Sequence, residues 1–208
     1  MRQSPESANQ YDVVEYAIGE TPARFLNLAR WPRRDSVHVP VNFCEWFDWS
    51  ELFAKGAEKK IISISRRFNS SNVLVACLQT DSSREVMTTF KAVVFDAKDD
   101  LQFYFKAIWD QRSMSPPAPL AAAARIVMVW DNTEKWIIVN DRYYEIGIFA
   151  VFANGGYDPN VRVFNCLDDR ELSTRFSRIL GINKVSALSE VRRWAKSPQL
   201  AARTGPKT

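Results

Sequence analysis

Residues 125–152 read RIVMVW (125–130), DNTE (131–134), KWIIVN (135–140) and DRYYEIGIFAVF (141–152), and this stretch decides the fold. Val, Ile, Trp, Tyr and Phe crowd it, side chains that suit a pleated and half-buried surface. The apolar runs are short and are bounded by polar turn residues, which predicts three β-strands joined by two tight turns. Asp131-Asn132-Thr133 and Asn140-Asp141 suit those turns, because Asn and Asp tolerate left-handed backbone and bond to their own main chain. In the third run Ile146, Ile148, Ala150 and Phe152 face one side, with Tyr144 and Arg142 continuing the row. Tyr143, Glu145, Phe149 and Val151 face the other, beside Gly147. Both rows are apolar toward Phe152, so that end of the strand is expected to be covered on both faces.

Working outward, a second block, KKIISISRRF (59–68), VLVACLQT (73–80) and EVMTTFKAVVF (85–95), again reads as three strands separated by polar turns. Residues 43–57 read as an aromatic-rich helix, in which Trp46, Trp49 and Phe53 fall on one side at helical spacing. Residues 11–18 read as a short strand, and Thr21-Pro22 as the start of a short helix. Residues 37–41 suit an edge strand because Pro40 cannot donate to a ladder. Asp99-Asp100 caps an expected helix over 101–112, although that run also alternates as a strand would. Three prolines in 113–119 mark a loop and the candidate internal boundary at 113–120. Neither small sheet is stable uncovered, so one composite α+β domain over 11–198 is expected, with loose ends at 1–10 and 199–208.

After a short strand at 161–166 the period changes. Asp168 or Asp169 caps a helix with Leu172, Phe176 and Ile179 on one face, and Gly181 suits its left-handed end. Asn183 starts a second helix with Val185, Leu188, Val191 and Trp194 on one face, and Pro198 stops it. The fold class expected is therefore α+β: a mainly antiparallel sheet built from two three-stranded meanders, an aromatic-rich N-terminal helix and a C-terminal helical pair.

Composition narrows the function classes. A hydrophobic fraction of 46% with 25% charged residues is that of a globular chain. No apolar run approaches the ~20 residues of a spanning helix, and residues 1–10 lack the apolar core of a signal peptide. Cys44, Cys77 and Cys166 are odd in number and far apart, so they form neither a disulfide framework nor a metal clasp. Reduced thiols and a cytoplasmic protein, of the producing cell or of a host, follow as expectations.

Charge is uneven. Residues 168–208 carry nine Lys or Arg against four Asp or Glu, a net of +5 in a chain whose total is +4. A basic helical pair suits phosphate backbones or an acidic protein surface. Residues 175–194 look like a helix-turn-helix, with 180–183 at the turn and Ala187 small enough for close helix contact. On that reading Lys184, Ser186 and Ser189 approach bases, and Arg192 and Arg193 lie nearer the backbone. An ordinary helical hairpin has the same pattern, and Glu190 opposes phosphate.

Two further sites have sequence support. Trp46, Trp49 and Phe53 are candidate partner-binding residues, because Trp is enriched at interaction hot spots. Glu58 and Lys60 have the E-x-K spacing of metal-dependent nucleases, with Asp35, Asp48 and Asp96 as candidate second acids. His38 is the one histidine, and no nucleophile motif stands near it. Phosphate-binding glycine loops, G-x-S-x-G and zinc-ligand clusters are missing from the sequence, so no catalytic residue, metal or cofactor is assigned. The expectation is a non-enzymatic regulatory binding protein that contacts nucleic acid through the C-terminal pair. The alternatives are an inhibitor or effector that covers a protein partner, and a Mg²⁺-dependent nuclease.

Overall fold

The computed structural model describes residues 12–17, 31–32, 41–78, 89–97, 125–152, 155–156 and 162–195. In chain order they form β1 (Asp12–Ala17), β2 (Val41–Asp48), a 3₁₀ turn (Trp49–Leu52), α1 (Ala57–Arg67), β3 (Asn72–Leu78), β4 (Thr89–Asp96), β5 (Ile126–Asp131), β6 (Trp136–Asp141), β7 (Ile146–Phe152), α2 (Asp169–Leu180) and α3 (Lys184–Ala195). The strands make one seven-stranded sheet of order β1-β4-β3-β5-β6-β7-β2. Every pairing in it is antiparallel. The chain is α+β, as its sequence indicates. Among the described residues no helix is long and apolar enough to cross a membrane.

Residues 126–152 form the expected three-stranded meander at the centre of the sheet. Its first turn is organised by Asp131, whose buried carboxylate accepts from the Thr133 and Glu134 amides at 3.1 Å and from Trp136 Nε1 at 2.7 Å. Ser70 also donates to Asp131, and Asn132 Oδ1 accepts the Ser71 and Asn72 amides at 3.0 Å. The turn is therefore stitched to the loop that leads into β3. Each strand of this meander is buried along its whole length.

The two faces of β7 separate as the sequence implies. Ile146, Ile148, Ala150 and Phe152 join a core with Trp46, Met128, Trp130, Leu172, Phe176, Ala187 and Val191, beneath α2 and α3. Phe149 and Val151 join the opposite core with Phe47, Ile61, Ile64, Trp136 and Phe164, beneath α1. The molecule thus has three layers, with helix on each side of a sheet buried on both faces.

The first block departs from expectation. Residues 59–68, read as a strand, lie in α1, where Ile61, Ile64 and Phe68 are buried at i, i+3 and i+7. The β-branched isoleucines favour a strand locally, but burial of this one stripe on the sheet decides for helix. Only β3 and β4 of the expected first meander are strands, and β1 completes that half of the sheet from the N-terminal side.

The aromatic-rich helix over 43–57 is corrected in the same way. Residues Val41–Asp48 are β2, paired with β7, and the 3₁₀ turn follows. The aromatic spacing fits a helix, but Trp46 and Phe47 are buried on opposite faces of the sheet, as period-2 geometry requires. Instead of a strand at 161–166, residues 162–167 run alongside β2, joined by one bridge between Phe47 and Cys166 and by a 2.9 Å bond from the Leu167 amide to the Trp46 carbonyl. The expected helices over 22–30 and 101–112, the edge strand at 37–41 apart from Val41, which opens β2, the boundary at 113–120, both chain ends, His38 and Asp35 lie outside the described residues.

Candidate nucleic-acid interface

The helical pair forms from local signals. Asp168 accepts from the Glu171 amide at 2.7 Å and Glu171 returns the bond to the Asp168 amide at 3.1 Å, a reciprocal cap that starts α2. Gly181, at φ 63°, ends the helix in the left-handed region that glycine enters without strain. Asn183 then caps α3 by accepting the Ser186 amide at 2.9 Å.

Two contacts fix α2 to the sheet. Phe176, fully buried, meets the Trp46 ring edge-on at 5.1 Å. Arg175 donates to Asp48 at 2.7 Å and to the Glu145 carbonyl, so it ties the ends of β2 and β7 to the helix. Burial raises the Asp48 carboxyl, but hydrogen bonds from Ser50 and Arg175 outweigh it and hold the group below its ordinary range.

Helix α3 is held through Ala187 and Val191, both buried, at i and i+4. Val185, expected on that apolar face, is instead 78% exposed. The buried stripe therefore runs through Ala187 and Val191 rather than Val185. Lys184, Ser186, Ser189, Arg192 and Arg193 are all exposed. Ser186, Ser189, Arg192 and Arg193 fall within an arc of about 120° at the α-helical pitch, and Lys184 opens the first turn outside it. Arg192 lies 3.7 Å from Asp169 and Arg193 3.1 Å from Glu190, with the guanidinium side chains 61% and 71% exposed. Ion pairs at such exposure contribute only about 0.2–1 kcal/mol, so phosphate can compete for both guanidiniums.

The aromatic candidates separate. Trp46 is buried between the Trp31 and Phe176 rings. Trp49 and Phe53 are half-buried, 5.5 Å apart and edge to face, and the Arg142 guanidinium lies 5.8 Å from the Trp49 ring. The Glu58–Lys60 spacing loses its meaning on a helix, where i and i+2 point about 160° apart. Glu58 accepts from the Gly56 amide at 3.1 Å, and Lys60 pairs with Glu51. Asp48 is held by Arg175, and Asp96 ends β4. Among the described residues no three His, Cys, Asp or Glu gather as a metal ion requires.

Two groupings lack a sequence signal strong enough to find them. One is the β6–β7 turn, where Arg125, Tyr143 and Tyr144 cluster. The other surrounds Glu45, which is buried on β2 and accepts the Val163 amide at 3.3 Å. Burial, the larger influence, pushes the Glu45 carboxyl up, against hydrogen bonds from the 163–164 backbone. A raised folded-state value means that the folded protein holds this proton more tightly than the unfolded chain. The resulting stabilisation is complete below the ordinary glutamate range and is lost as pH rises through the raised folded-state value. Glu45→Gln, which keeps an acceptor for Val163, is therefore expected to raise the urea midpoint at pH 7. The gain should shrink toward pH 4, and equal gains at both values would contradict this account.

No family model matches the chain, and no curated protein or solved structure matches it.

Proposed function

We propose that this chain is a non-enzymatic regulatory binding protein that contacts duplex nucleic acid through the outward side of α3. The observation that carries this reading is the division of α3: Ala187 and Val191 fasten its inner side, while Ser186, Ser189, Arg192 and Arg193 share its outer side. A short turn through Gly181 joins it to a firmly anchored first helix, which suits a second helix that enters a major groove. Lys184, Ser186 and Ser189 occupy the early part of α3, where base edges are read in such docking. Arg192 and Arg193 lie further along, where the phosphate backbone passes.

The reading is tested by fluorescence anisotropy with a short labelled duplex at about 50 mM salt. Wild type is expected to bind. The combined Lys184→Ala, Arg192→Ala, Arg193→Ala variant is expected to bind at least tenfold more weakly, with a melting temperature lowered by no more than a few degrees, because none of the three is buried and only two weak exposed ion pairs are lost. Equal binding by the variant, or no binding by wild type, removes the reading.

A second reading keeps the protein-partner alternative on the half-buried Trp49–Phe53 pair, with Arg142 over Trp49. Trp and Arg are the side chains enriched at interaction hot spots. Capture of one stoichiometric partner, lost on Trp49→Ala without unfolding, would favour it.

A further inference from the structure

We infer that the β6–β7 turn is a stacking platform for an unpaired nucleobase, with Tyr143 as the stacking ring. The inference takes its class of ligand from the nucleic-acid reading of α3 and extends it to a second, single-stranded contact.

Tyr143 is 72% exposed, and with Val185 it is one of two large hydrophobic side chains so placed among the described residues. Its ring is nevertheless held. The Arg125 guanidinium lies 5.0 Å from the Tyr143 ring and 5.1 Å from the Tyr144 ring, and the two tyrosines meet edge to face at 5.2 Å.

The backbone beneath is fixed as well. Asp141, fully buried, accepts the Tyr144 amide at 3.1 Å and Trp31 Nε1 at 3.2 Å. The Arg142 amide donates to the Arg125 carbonyl at 2.9 Å. Glu145 closes the turn at φ 57°, which a non-glycine residue seldom adopts. Its carbonyl accepts from Arg175 and its carboxylate pairs with Arg178 at 2.9 Å, so α2 holds the residue in place.

A large ring held in place yet open to solvent fits a flat, anionic ligand. Base stacking supplies affinity to any sequence, because every base has a π-face, and adjacent arginines supply the phosphate contacts. Arg125 backs the tyrosines, and Arg178 neutralises the one acid exposed at the turn. A cationic aromatic surface of this kind disfavours a purely apolar partner. Because Arg175 and Arg178 tie the turn to α2, the platform lies one helix away from the α3 face.

The test measures anisotropy with labelled oligo-dT, oligo-U and a blunt duplex. Tyr143→Ala is expected to weaken single-strand binding roughly tenfold. Duplex binding should be unchanged, and Tyr143→Phe should restore the lost affinity. An oligo-dT in which iodouracil replaces one base is expected to photocrosslink to the peptide that holds Tyr143.

Unchanged single-strand binding by Tyr143→Ala overturns the inference while leaving the α3 reading intact. An equal loss on duplex and single strand overturns it too, as does a crosslink to another peptide. Single-strand binding that needs Tyr143, with no duplex binding, supports the platform and removes the α3 reading. Absence of binding to all three probes removes both. Stronger binding of oligo-U or of oligo-dT identifies RNA or DNA as the source of the base.

Discussion

Gly147→Ala is expected to destabilise the protein by about 3 kcal/mol, the upper end for an overpacked core. A Cβ built on Gly147 would overlap the edge of the Phe47 ring, whose Cε2 and Cζ atoms are its nearest neighbours. The two residues face each other across the β2–β7 pairing, and Phe47 is fully buried. The Phe47 ring has little room to retreat, because it stacks on Phe164 at 4.0 Å with the planes 13° apart. Only a residue without a side chain lets β2 lie against β7 with a phenylalanine between the sheet and the 162–167 segment. The measurement is a urea or thermal midpoint, in which a change of this size lowers the melting temperature by about 6–12 °C. Phe47→Leu in the same chain should recover part of the loss, giving a coupling energy of opposite sign to the single effects. Gly147→Ala within about 0.5 kcal/mol of wild type would show that β2 does not pack this way.

Phe176→Ala is expected to cost about 3–5 kcal/mol, the range for removing a buried phenylalanine without refilling the space. The ring is the central apolar contact between α2 and the sheet, wedged against Trp46 and neighboured by Leu172. Its loss leaves a cavity between two rigid layers that cannot collapse far. Helix α3 is fastened through α2 and through Ala187 and Val191 on the same core, so the whole helical pair should loosen. The expected signature is a lower midpoint together with faster hydrogen exchange in 169–195 than in the β5–β7 meander. Duplex binding should weaken with it, because α3 would no longer be presented at a fixed angle. Normal protection of 169–195 in this variant would mean that the pair is held by other contacts.

The parts legible in the sequence are those whose signals are local. The meander of β5, β6 and β7 declares itself through alternating apolar residues and through Asp131 and Asn140-Asp141 at the turns. The α2–α3 pair does so through Asp168, Gly181 and Asn183. What could not be read depends on distant partners. Residues 41–48 satisfy both helical and strand periods, and the preference for strand comes from pairing with β7, which has no signature near Trp46. The isoleucines of 59–68 favour a strand until the surface beneath α1 is known. Asp141 was read as a hairpin residue, but the strand that follows was extended back to Arg142. A strand that starts there places Tyr143 and Tyr144 on opposite faces, whereas the turn brings their rings together. Four turn residues, 142–145, the last of them a left-handed Glu145, replace that extension. On α3, Ser186, Ser189 and Arg193 fall by helical spacing opposite the expected apolar stripe, whereas Lys184 and Arg192 fall on or beside it, and spacing alone does not give their exposure. Nor does it give the exposure of Val185.

The salt dependence of duplex affinity addresses the central claim most directly. Each phosphate contact adds about 0.9 to the slope of log affinity against log salt. Wild-type affinity is expected to fall steeply between about 50 and 200 mM salt, and removing Lys184, Arg192 and Arg193 together should lower that slope by about 2.7. A wild-type affinity that does not change with salt, or a variant with the same slope, would contradict the assignment of the α3 face to nucleic acid.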